Sequence, residues 1–98
     1  MKNPLPIDTV ERLNKNWNRA FGRAVAHARR DRRITQNGLC KYMHWSDRSI
    51  ASRLERGVRP ATSPEIKLLA MVFDMTAEEL IAETERLFNP PARSRKSR

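Results

Sequence analysis

From Ile34 to Asn89, helix start and stop signals follow one another so closely that only short helices fit between them. Thr35 predicts the N-cap of a short helix with Leu39, Tyr42 and Met43 on its apolar side. Ser46 predicts the cap of the next, with Asp47 in its first turn, where the helix dipole favours a negative charge, and with Ile50 and Leu54 on one face. Gly57 supplies a left-handed residue to stop that helix, and Pro60 blocks its continuation. Ser63-Pro64 reads as an N-cap with proline at the first helical position, followed by the stripe Ile66, Leu69, Ala70 and Phe73. Thr76 and Glu79 form a capping-box pattern that opens a last helix through Leu80, Ile81 and Leu87, closed by Asn89-Pro90-Pro91. No segment alternates apolar and polar residues as a strand would, so the expected fold class is all-α.

The N-terminal third reads as helix too. Pro4 and Pro6 keep the first six residues extended, and Asp8 with Glu11 has the spacing of a capping box. Val10, Leu13, Trp17, Phe21, Ala24, Val25 and Ala28 then keep helical spacing. Three asparagines between Asn14 and Asn18 leave two readings, one long helix or two shorter ones. The basic run from Arg29 to Arg33 suits a helix C-terminus. The expected organisation is a partly helical extension over 1–16, one domain over 17–88 and a disordered basic tail over 89–98.

Charge bears on the partner. The 98 residues, enough for one domain, carry 20 Lys and Arg against 11 Asp and Glu, a net charge of +9. Residues 17–57 hold +7 of it, residues 58–88 sum to −3, and the last ten residues add +4. That segregation predicts a phosphate-facing middle, an acidic back and a basic tail. No apolar run is long enough to span a membrane, and the first residues lack the apolar stretch of a secretory signal. Cys40 is alone and cannot form an intramolecular disulfide, which fits a reducing, cytoplasmic setting. Cys40 and His44, four apart, with His27 as a third, are short of a zinc set, and a buried thiol with a turn histidine is the preferred reading. Neither a nucleophile–base–acid set nor a glycine-rich phosphate loop stands out, so no enzyme, metal, cofactor or small-molecule substrate is expected.

Two short helices joined by a tight turn, the second with Asp47, Arg48, Ser49, Ser52 and Arg53 on its open side, make a helix-turn-helix pattern. Phe21-Gly22, Arg29, Ile34-Thr35-Gln36, Leu39, Ile50, Leu54-Glu55-Arg56-Gly57, Pro60, Ile66-Lys67-Leu68-Leu69-Ala70 and Leu80 together resemble the Xre/Cro type of lambda-repressor-like DNA-binding domain, over roughly residues 20–82. The resemblance implies a compact five-helix domain with the motif at about 35–57. It also implies a bacterial or phage transcriptional regulator, a repressor, that binds double-stranded DNA sequence-specifically. A homodimer would read half-sites about one helical turn apart. Asp47, Arg48, Ser49 and Ser52 would read bases, and Gln36, Lys41, Arg53, Arg56 and Arg59 would contact phosphates. Arg48 is the sharpest reader, with a phosphate clamp as its alternative; Asp47 has a pure capping role as its alternative. Arg29 and Glu55 would form a structural ion pair, with Arg30 as the competing partner. A rival reading is an antitoxin-like module that binds a protein through the last helix (Leu80, Ile81, Leu87, Phe88) or through Val10, Leu13 and Trp17. A further one is non-specific nucleic-acid binding by the basic middle and tail.

The sequence departs from the family pattern at three places. Gly38 stands where a helix-favouring residue is usual, at a cost of about 1 kcal/mol of helix propensity. His44-Trp45 occupies the turn where glycine and a small apolar residue are usual; Trp45 reads as a core plug rather than a base-stacking side chain. Gln36 to Gly57 is one residue longer than the commonest spacing, which leaves the register of Ser52 and Arg53 open.

Overall fold

Pro6 sets where the first helix begins. It is extended (ψ 142°), and its carbonyl accepts from the Val10 N–H at 3.1 Å. A single 25-residue helix, α1, runs from there over Ile7–Asp31. The expected Asp8–Glu11 capping box does not form: with proline fixing the entry, both residues are already helical, and Asp8 remains as the negative charge of the first turn. The computed structural model describes residues 3–89, so nearly all of the expected tail lies outside the described residues.

The asparagines do not divide α1. Each costs roughly half a kcal/mol against alanine, and packing overrides that: the Trp17 ring meets Phe88 edge-on, centroids 5.4 Å apart. From Ala20 onward the helix is anchored by buried Phe21, Ala24, Val25 and Ala28. The helix therefore runs unbroken through the expected boundary at residue 16.

Four shorter helices follow: α2 (Gln36–Met43), α3 (Arg48–Glu55), α4 (Ser63–Val72) and α5 (Ala77–Phe88). The described residues are all-helical, with no strand among them. Thr35 caps α2 by accepting from the Gly38 N–H at 2.9 Å, and Thr76 caps α5 reciprocally with Glu79. Two caps differ from expectation by one residue. Asp47, not Ser46, caps α3, because its extended backbone lets the carboxylate accept from the Ser49 N–H at 2.7 Å. Thr62, not Ser63, caps α4: Glu65, three residues on, accepts from the Thr62 N–H at 3.0 Å, whereas Ser63 would face Ile66, which has no acceptor.

Helices α1 to α4 all end the same way. One residue turns left-handed, and the last carbonyls accept from its N–H and the next one. Those residues are Arg33 (φ 58°), His44 (57°), Gly57 (80°) and Asp74 (57°). At His44, for example, its N–H and that of Trp45 donate to the carbonyls of Lys41 and Cys40 at 3.3 and 2.9 Å. Only one of the four stops is a glycine. The other three carry side chains in a conformation that costs about 1–2 kcal/mol.

The core gathers one contribution from each helix: Phe21, Val25 and the alanines of α1, Leu39 and Cys40, Ala51 and Leu54, Leu69 and Ala70 with Phe73, and Leu80. Burying each large side chain contributes about 1.5–3 kcal/mol. Ile66 is only partly buried, and Tyr42, expected on the apolar side of α2, is 62% exposed. In so short a helix, Leu39 and Cys40 fill the contact and Tyr42 falls on the open side. The buried Thr84 hydroxyl is satisfied within its own helix, donating to the Leu80 carbonyl at 2.9 Å.

Candidate nucleic-acid interface

Glu55, the last residue of α3, ties three elements together. Its Oε2 accepts from Arg29 Nε at 2.6 Å, and its Oε1 accepts from Arg29 Nη2 and from Gln36 Nε2, both at 3.0 Å. Arg29 also donates through Nη1 to the Ile34 carbonyl at 2.9 Å, so α1, the α1–α2 turn, α2 and α3 share one network. Both ionic side chains are largely shielded, at 11% and 6% exposure. The carboxylate is thus paired and fully engaged, as a buried charge requires. Arg30 takes no part and stays exposed.

Below that network, α3 approaches α1 without an intervening side chain. A β-carbon at Gly22 would lie 2.4 Å from the carbonyl oxygens of both Leu54 and Glu55. Gly57 meets the Arg19 backbone in the same way, at 2.8 Å. The C-terminal end of α3 is therefore fixed against α1, while its N-terminal end follows the four-residue turn His44–Asp47 from α2. The Cys40 thiol donates to the Asp47 carbonyl at 3.1 Å and holds the turn from inside.

The opposite face of α3 is open. Asp47, Arg48, Ser49 and Arg53 are exposed, and Ser52 is half-buried. Asp47 Oδ1 accepts from both the Ser49 N–H and its hydroxyl, and Arg53 Nη1 donates to Ser49 Oγ at 3.3 Å. The Ser49 hydroxyl, then its amide, and the Arg53 charge hold the Asp47 carboxyl below its ordinary pKa. Asp47 thus caps the helix as a carboxylate. Arg48 makes no ion pair or side-chain hydrogen bond among the described residues. Lys41 and Arg56 are likewise exposed and uncommitted among them.

Two residues expected at phosphates are committed inside the protein. The Gln36 amide donates inward to Glu55, as described. Arg59 holds Glu65 with both terminal nitrogens, at 3.2 and 2.7 Å, and its guanidinium lies 5.2 Å over the Trp45 ring. Trp45 packs against the core, so the turn between α2 and α3 is braced from the start of α4. Burial works to raise the Glu65 pKa, but the Arg59 guanidinium and the Thr62 amide outweigh it and leave it lowered.

Sequence reasoning missed one brace altogether. Arg32 Nε donates to the Phe73 carbonyl at 2.6 Å, closing α4 from the end of α1. Nothing in the local sequence signals a contact across 41 residues. Among the described residues, no group of three or more His, Cys, Asp or Glu is placed to hold a metal, and no helix is long and apolar enough to cross a membrane. Comparison with known proteins finds no family model that matches the chain and no curated protein similar to it in sequence.

Proposed function

We propose that the chain is a sequence-specific double-stranded-DNA-binding regulator of transcription, a repressor of the lambda-repressor-like helix-turn-helix kind acting as a homodimer. The observation that carries this is the contrast between the two faces of α3. One is locked to α1 and α2 through Glu55 and Gly22; the other offers Arg48, Ser49 and Arg53 to solvent. A reading helix needs that combination, since its side chains must be held in register while staying accessible. Arg48 is uncommitted among the described residues, and the Ser49 and Arg53 side chains bond only to each other and to Asp47. Arg48, at the first turn of α3, fits guanine O6 and N7. Ser49 and Ser52 lie along the same side, with Asp47 setting the helix end. Lys41, Arg53 and Arg56 supply phosphate contacts. Gln36 and Arg59 serve this reading indirectly, by fixing α2 and the turn.

Selection of bound sequences from a random duplex pool at about 150 mM salt tests this reading. A palindromic motif is the expected result, and no enrichment would contradict it. The exposed apolar residues Leu5, Ile7 and Leu13 favour a second reading, a partner-binding module of antitoxin type. That reading predicts no enrichment unless the partner is present.

A further inference from the structure

One face of α1 carries a row of arginines that the proposed reading helix does not use. At about 100° per residue, Arg12, Arg19, Arg23 and Arg30 fall within about 40° of one another and span about 27 Å of helix. All four are exposed, and none makes an ion pair or a side-chain hydrogen bond among the described residues. Residues 12–30 contain no acidic side chain; the acids of α1 stand at its two ends, Asp8 and Glu11 before Arg12 and Asp31 after Arg30, so the stretch between them is cationic throughout. A line of arginines with no ion pair along it among the described residues is a field.

The row borders α3. Gly22 and Gly57 bring the end of α3 and its following turn against α1, and Arg19 forms part of that contact. Beyond it opens a cleft of about 390 Å³ with Arg23, His27 and Arg30 on the α1 wall and Ser52 and Arg56 on the α3 wall. Its one carboxylate, Glu55, is already occupied by Arg29 and Gln36. The cleft therefore presents three guanidinium groups to any anion that enters, and it is continuous with the open face of α3 through Ser52 and Arg56.

We propose that this row and cleft form a phosphate track, in which the backbone of one DNA strand runs along α1 beside the groove that α3 enters. The proposal rests on the DNA-binding reading and adds to it a sequence-independent contact line built from Arg12, Arg19, Arg23 and Arg30. A row of fixed positive charges suits a polyanion of regular spacing better than a single small anion. Its geometry carries no base information, so the track positions the protein while α3 discriminates.

The test is a salt titration of the full chain against a duplex of mixed sequence, comparing the native protein with Arg23→Gln/Arg30→Gln. Loss of two phosphate contacts lowers the slope of log K against log salt by about 1.8 in magnitude. Affinity near 150 mM salt falls roughly thirtyfold. Arg23→Lys/Arg30→Lys restores most of the slope, which separates charge from folding. Lys67→Gln/Arg86→Gln removes the same charge from α4 and α5 and leaves the slope nearly unchanged. An unchanged slope in the α1 variant, or an equal drop in the α4/α5 variant, overturns the track. Failure of the pool selection alongside a reduced slope in the α1 variant sinks sequence reading and leaves the track standing. A native protein with no salt-dependent duplex binding overturns both.

Discussion

The backbone of Gly22 lies directly against the carbonyl oxygen of Glu55: a β-carbon at position 22 would sit 2.4 Å from it. Backbone on both sides leaves no flexible side chain to yield. Gly22→Ala is therefore predicted to destabilise the domain by about 2–3 kcal/mol, even though alanine is the better helix former by about 1 kcal/mol. Urea unfolding followed by circular dichroism measures this. A neutral or stabilising result would mean that α3 does not approach α1 so closely.

Removing Glu55 strands two donors. Glu55→Ala leaves the Arg29 guanidinium and the Gln36 amide without their acceptor, and a loss of about 3–5 kcal/mol is predicted. Replacing both Arg29 and Glu55 by methionine is predicted to cost much less than the two single changes added together. Additive single and double losses would show that the pair is not coupled.

Asp74 stops α4 in the left-handed region without being glycine. Asp74→Gly relieves that conformation and is predicted to raise stability by about 0.5–1 kcal/mol. Gly57→Ala is predicted to do the reverse, since φ is +80° there and the new carbon would meet Arg19. Shifts in the denaturant midpoint report both, and matching signs would refute the account of these helix ends.

Glu65 carries a pH signature. Its carboxyl pKa is lowered in the folded chain: burial opposes ionisation, and Arg59 and Thr62 overcome it. A carboxylate whose folded pKa lies below its unfolded value adds stability that is complete above the ordinary value of 4.5 and is lost as pH falls through the folded one. Thermal midpoints measured from neutral pH downward should fall in acid, and Glu65→Gln should flatten part of that fall. Parallel curves for the two proteins would remove Glu65 from the explanation.

The elements were legible in the sequence wherever the chemistry that sets them is local. Thr35, Gly57 and the Thr76–Glu79 box act within a few residues of themselves, and they stand as read. Where two capping residues are adjacent, as at Ser46-Asp47 and Thr62-Ser63, the choice depends on which backbone is extended and which partner lies three residues on. The left-handed turn at His44 could be anticipated, since it stands where the resembled family has glycine, whereas the stops at Arg33 and Asp74 carry no local signal. The candidate site divides in the same way. That Arg48 and Ser49 sit on an open helix start followed from spacing. That Gln36 turns onto Glu55, and Arg59 onto Glu65 and Trp45, follows from tertiary placement alone. The arginine row of α1 was present in the sequence as a period, but its meaning needed the neighbouring α3.

The central claim is that α3 reads sequence through Arg48. Its most direct test is the affinity ratio between a pool-selected duplex and a scrambled duplex of equal length, for the native chain and for Arg48→Ala. The account predicts that the substitution weakens the selected duplex by about 1–3 kcal/mol and the scrambled one far less, so that the ratio collapses. Equal losses on both duplexes would make Arg48 a phosphate contact and contradict the claim.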